Sequence, residues 1–164
     1  MAAERTVIVG HDGSTTSDLA LAWAIDYAAR FDAVVRVVRG WTMSTAPRPA
    51  SMTGGYIPPI EEFEAAVVAD LERACARVVA DSAVGVDVSF EGFRGAPANG
   101  LIAASHDAEL LVVGARGLGG FKGLALGSVT DQCVRHAACP VVVIRDQHSS
   151  DIERLRRLDS SLEA

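Results

Sequence analysis

A chain of 164 residues is a length that one domain fills, and a chain of that size buries roughly 70% of its unfolded surface. Its 49% apolar but only 5% aromatic composition predicts a core of Ala, Val and Leu, and its three cysteines lack the spacing of a disulfide framework. A net charge of −6 and a pI near 5.1 exclude the broad basic field that nucleic acid or an anionic membrane surface demands. No apolar run approaches the roughly 20 residues of a membrane helix, and the chain enters a strand without a signal-peptide core, so a cytoplasmic protein is expected.

Taken in order, Thr6 to Gly10 is a β-branched run closed by glycine, the mark of a buried strand. His11-Asp12-Gly13-Ser14 then turns into a helix over Leu19 to Phe31. Ala20, Trp23, Ala24, Tyr27 and Ala28 share one face of it at three-and-four spacing, and Ser14 or Ser17 is suited to cap it. Asp12 thus falls at the carboxyl end of a strand, where open α/β sheets gather ligands. An Asp-Gly pair is also a common turn, so a merely local role for Asp12 competes.

Ala33 to Trp41 reads as a second strand, nearer an edge than the first because it carries Arg36 and Arg39. Residues 42–59 hold four prolines and two glycines, and no packed element fits them. A loop of this length inside a domain is either functional or disordered, and a lid touching a ligand through Met43, Met52 or Tyr56 is one reading.

Ile60 to Asp81 is a helix with acidic residues Glu61, Glu62 and Glu64 at its positive end and a buried stripe of Phe63, Val67, Leu71, Ala74 and Val78. Cys75 lies beside that stripe as a small core residue. Val84 to Phe93 alternates apolar and polar side chains, as a half-exposed edge strand does. Gly95-Ala96-Pro97 shapes the entry to a short helix, Ala98 to Ser105.

The last third, Leu110 to Arg145, carries the most chemistry. Leu110 to Val113 is a buried strand ending at Gly114, and a loop with Gly117, Gly119, Gly120, Gly123 and Gly127 follows. Ser128-x-x-Asp131 opens a helix as a variant of the capping box, and Pro140 precedes a final strand, Val141 to Ile144. Glycines let successive N–H groups turn toward one point, and a helix start adds unpaired N–H groups and a positive dipole end; together they suit a phosphate. The loop is neither a Rossmann fingerprint nor a Walker loop, because Lys122 stands where the former needs glycine and is followed by Gly123 rather than Ser or Thr.

Five strands alternating with four helices imply an α/β fold with a doubly wound, Rossmann-like parallel sheet of order 3-2-1-4-5. Its topological switch lies between the first and fourth strands, so the ends at Asp12 and Gly114 converge. Cys133-x2-His136-x2-Cys139 lacks a fourth ligand and predicts no metal site. His11, His106 and His148 stand singly, and no Ser-His-Asp or Cys-His arrangement follows from spacing, so no catalytic residue is expected.

Gly114-x2-Gly117-x9-Gly127-Ser128, together with the opening Val7 to Ser14, resembles the universal stress protein family over about 145 residues. The resemblance implies the adenine nucleotide alpha hydrolase-like variant of this fold in residues 1–146, followed by a polar tail, 147–164. It also implies a cytoplasmic ATP-binding switch or sensor, with Mg2+ accompanying the ATP and little or no catalysis. The contacts it implies are Asp12 to ribose or magnesium, the backbone around Arg39 and Gly40 to adenine, and Val113, Gly114, Gly117, Gly127 and Ser128 around the phosphates. Arg116, Val129 and Thr130 extend that phosphate set, and Lys122 could add charge. A homodimer through Val141 to Ile144 is implied as well, with an unknown protein partner downstream and neither nucleic acid nor membrane. Alternatives are a cyclic-AMP-binding member, a nucleotide-free interaction module, or a flavin- or nucleotide-using enzyme of related fold. The tail repeats Ile152, Leu155, Leu158 and Leu162 at helical spacing, so it is either frayed or a short amphipathic helix.

Overall fold

The computed structural model describes residues 4–82, 85–118 and 126–146. Gly119, Gly120, Lys122 and Gly123 of the glycine loop, His148 and the helical reading of the tail lie outside the described residues. Five strands, β1 (Thr6–Gly10), β2 (Val34–Trp41), β3 (Val88–Arg94), β4 (Leu110–Gly114) and β5 (Val141–Ile144), pair in parallel in the order β3-β2-β1-β4-β5, as the sequence predicts. Between them run α1 (Thr15–Phe31), α2 (Ile60–Asp81), α3 (Pro97–Ala104) and α4 (Ser128–His136), with a 3-10 turn, Ser105–Asp107, after α3.

The period-two pattern of the strands divides the core. Val7, Val9, Val35, Val37, Leu110 and Val112 face α1 and α2, while Ile8, Val38, Leu111 and Val113 face α3 and α4. Both faces of β1 and β4 are therefore covered, which is why their sequences are continuous apolar runs. β3 and β5 are the edges. No residue of β5 is fully buried, and β3 alternates half-buried and exposed positions around a buried Gly92.

Several boundaries and faces differ from those expected. β3 begins at Val88 rather than Val84, because Gly85, at φ +95°, turns the chain just before it. α1 buries Ala20, Leu21, Ala24, Ile25 and Ala28, leaving Trp23 37% exposed in a ladder of rings with Tyr27 and Phe31. The large rings drew the expected face toward themselves, whereas the close approach of helix to sheet selects the small and aliphatic side chains one position over. Likewise Cys75, not Ala74, completes the buried stripe of α2, at fourfold spacing from Leu71. Ser14, of the two candidates, caps α1 by accepting the Ser17 N–H.

Candidate functional site

The topological switch between β1 and β4 opens at the carboxyl ends of the strands into a cavity of about 640 Å3. Val38, Trp41, Val67, Pro97, Leu101 and Val113 supply apolar wall, and Thr45 and Pro47 reach in from the 42–59 loop. Met43, Met52 and Tyr56, the residues expected to touch a ligand from that loop, are exposed, and Thr45 and Pro47 line the cavity in their place.

Asp12, Gly40, Val113, Gly114, Arg116, Gly117, Gly127, Ser128, Val129 and Thr130 all line this one cavity, so each sequence-predicted position is brought to it. Asp12 makes the local turn contact and a second contact with the glycine loop. Its Oδ1 accepts the Ser14 N–H at 3.0 Å as a turn residue does, and its Oδ2 reaches across the cavity to accept the Leu118 N–H at 2.9 Å. Burial opposes its charge, but the hydrogen bonds from Ser14, Leu118 and Ser17 outweigh burial and hold the carboxyl below its usual range. Gly117 is a glycine because a Cβ there would stand 2.3 Å from Asp12 Oδ2, and Gly40 because a Cβ would stand 2.5 Å from the Pro97 backbone.

The phosphate end is built from the backbone. α4 is capped by Gly127, which has no side chain to satisfy the helix, so Ser128 is the first helical residue and not the cap expected of it. Asp131 does not close a capping box either; its carboxylate pairs with Arg135 one turn on, at 2.9 Å. The first turn of α4, residues 128–130, therefore lines the cavity without a side-chain cap and with the positive end of the helix dipole behind it.

The three carbonyls that open the loop are each taken up by a hydrogen bond. Thr130 Oγ1 donates to Gly114 O at 2.7 Å, the Gly127 N–H to Ala115 O at 2.7 Å, and Thr16 Oγ1 to Arg116 O. Thr130, buried at 3% exposure, thus serves the loop through its hydroxyl. Thr16 has no counterpart among the sequence-predicted residues; nothing in the spacing of Thr15 and Thr16 marks which of them meets a segment a hundred residues away.

Behind Asp12, His11 is 3% exposed and its ring is fully engaged. Nε2 donates to Asp18 at 2.8 Å, and Nδ1 accepts from the Gly13 N–H and from Arg39, each at 3.3 Å. Burial pushes its pKa down more than Asp18 raises it, so the imidazole is neutral. Arg39 also donates to His11 O and pairs with Asp70 of α2 at 2.8 Å, closing the floor of the cavity.

Over residues 4–145 the sequence matches the model of the universal stress protein family. The chain belongs to that family. A universal stress protein of Mycolicibacterium smegmatis is 32% identical over 98% of this chain and 56% of its own length. The chain spans about half the length of the curated relatives it matches. Among solved structures, a universal stress protein of Lactobacillus plantarum superposes with a TM-score of 0.64 at 24% identity, covering 88% of this chain and 100% of its own, and confirms the fold. A family member solved in complex with cAMP has a TM-score of 0.62 at 28% identity and covers 88% of this chain and 98% of its own.

In this universal stress protein fold the side chains of Cys133, His136 and Cys139 differ in exposure. Cys133 is buried with its thiol pushed up to about 11 by desolvation, while His136 is exposed. No cluster of three metal-ligating side chains occurs among the described residues, and both Asp12 oxygens already accept N–H groups. No described helix is long and apolar enough to cross a membrane.

Proposed function

We propose that this universal stress protein is an adenine-nucleotide-dependent switch that binds ATP or a close analogue, with slow hydrolysis at most. One observation carries the reading: an α4 N-terminus without a side-chain cap lines the same cavity as a loop start whose Gly114, Ala115 and Arg116 carbonyls are already hydrogen-bonded. The apolar wall of Val38, Trp41 and Val67 suits a base, Asp12 a ribose, and the Gly114–Gly117 and Gly127–Thr130 backbone the phosphates. Efficient hydrolysis needs a group to orient water and a cation for the transition state. His11 and Asp12 are the nearest candidates for the first; both ring nitrogens of His11 are engaged, and Asp12 is the carboxylate assigned to the ribose.

Cyclic AMP is a second reading with its own support. Asp12 places a carboxylate on the Leu118 N–H, at the phosphate end, which favours a ligand of single charge over a polyphosphate unless a cation accompanies it. The relative solved with cAMP points the same way. Calorimetric titration with ATP, ADP, AMP and cyclic AMP, with and without magnesium, ranks the ligands. Absence of binding by all four at millimolar concentration would sink the proposal and leave the interaction module. The half-exposed edge strand β5 offers unpaired backbone groups, and we take it as the contact of a homodimer; a monomeric mass by sedimentation at micromolar concentration refutes that.

A further inference from the structure

Thr16 sits in the first turn of α1, far from the glycine loop in sequence yet packed against it in space. A Cβ on Gly114 would stand 2.8 Å from Thr16 Oγ1 and 2.9 Å from Thr16 Cβ, so the helix start approaches β4 as closely as it does only because residue 114 is glycine. From that position Thr16 Oγ1 donates to the carbonyl of Arg116. Thr16 Oγ1 also lies 3.2 Å from the Ser14 hydroxyl. Ser14 in turn accepts the Ser17 N–H and caps the helix, so a short relay runs from the α1 cap to the loop.

The direction of one peptide is at stake. A peptide's carbonyl and the N–H that follows it point to opposite sides, so holding Arg116 O toward α1 turns the Gly117 N–H the other way. A loop peptide turned over would present a partial negative charge to an anion in place of a donor. The Gly114 and Ala115 carbonyls are held by Thr130 Oγ1 and the Gly127 N–H, and both of those donors come from the α4 side. Thr16 ties the loop to the other half of the sheet through a carbonyl, as Asp12 does through the Leu118 N–H.

We propose that Thr16 is a positioning residue for phosphate, fixing the Arg116–Gly117 peptide with its donor toward the ligand without touching the ligand itself. The proposal rests on the nucleotide reading of the cavity and deepens it, because it separates the phosphate from the nucleoside part of recognition.

The test compares AMP with adenosine, which share everything except the phosphate. Thr16→Val keeps the shape and removes the hydroxyl, whereas Thr16→Ser keeps the hydroxyl. Removing a hydrogen bond that orients a peptide toward a charged group is expected to cost about tenfold in AMP affinity. Adenosine affinity should stay within about twofold, and Thr16→Ser should bind AMP within about threefold of the unaltered chain, these margins being small beside one hydrogen bond. If Thr16→Val does not fold, Thr16→Ala read against Thr16→Ser supplies the same contrast. An AMP affinity that does not change, or an equal loss for adenosine and AMP, overturns the positioning role while leaving nucleotide binding intact. If the unaltered chain takes up neither AMP nor adenosine, the nucleotide reading fails, and this proposal with it.

Discussion

The contact most open to test by a single atom is the one across the cavity mouth between Asp12 and the glycine loop. Gly117 has an ordinary backbone angle, so Gly117→Ala imposes no conformational strain. The new Cβ would stand 2.3 Å from Asp12 Oδ2 and 3.4 Å from its Cγ. The obstacle is the tip of a side chain, which swings into solvent and gives up the Leu118 N–H. A hydrogen bond to a charged group contributes about 1.5–3 kcal/mol net, and exposure of Asp12 to water brings the expected cost to about 1 kcal/mol. In a chain of this length that lowers Tm by about 2–4 °C in differential scanning calorimetry. The decisive arm is the double-mutant cycle: in an Asp12→Ala background no carboxylate remains to displace, and Gly117→Ala should then cost almost nothing. An equal drop in both backgrounds would refute the steric argument.

Further expectations follow from the same geometry. Gly40→Ala meets the Pro97 backbone rather than a movable tip, so it should destabilise by about 1–3 kcal/mol as an overpacked site does, and a thermal scan matching the unaltered chain would contradict it. Leu71→Ala, in the fully buried stripe of α2, should cost about 2–5 kcal/mol by urea unfolding. Because burial holds the folded His11 pKa below its unfolded value, the unfolded chain takes up the proton first. The contribution of the neutral ring is full above about pH 6.5 and is lost as pH falls beneath it. Unfolding free energy should therefore decline toward pH 5, with a shallower slope in His11→Asn; identical slopes would show that the ring is not responsible. Proteolysis within residues 42–59 should slow when AMP is bound, since Thr45 and Pro47 line the cavity, and equal cleavage with and without AMP would end the lid reading.

Much of this arrangement was legible in the sequence because it depends on local chemistry. Apolar runs closed by glycine marked β1 and β4, alternation marked β3 as an edge, and the order of elements with right-handed crossovers gave the switch point between Asp12 and Gly114. What escaped depends on distance of approach between elements. Trp23 and Ala74 lie outside the buried faces expected to hold them, because helix–sheet spacing decides which of two neighbouring positions is covered. Ser128 carries a preferred cap side chain, yet Gly127 holds the cap because the loop's own hydrogen bonds fix where helical geometry starts. Thr16 and the His11–Arg39–Asp70 floor are joined by contacts that no short motif encodes.

The cavity lies over the seam where the two windings of the sheet diverge, and its walls come from β1, β2, α2 and α3 on one side and from β4 and α4 on the other. Any molecule seated there acts as a rivet through both windings, favouring the folded chain by an amount that grows with the logarithm of its concentration. Resistance to heat would then track the cell's supply of that molecule, making endurance of the fold itself a readout of metabolic state.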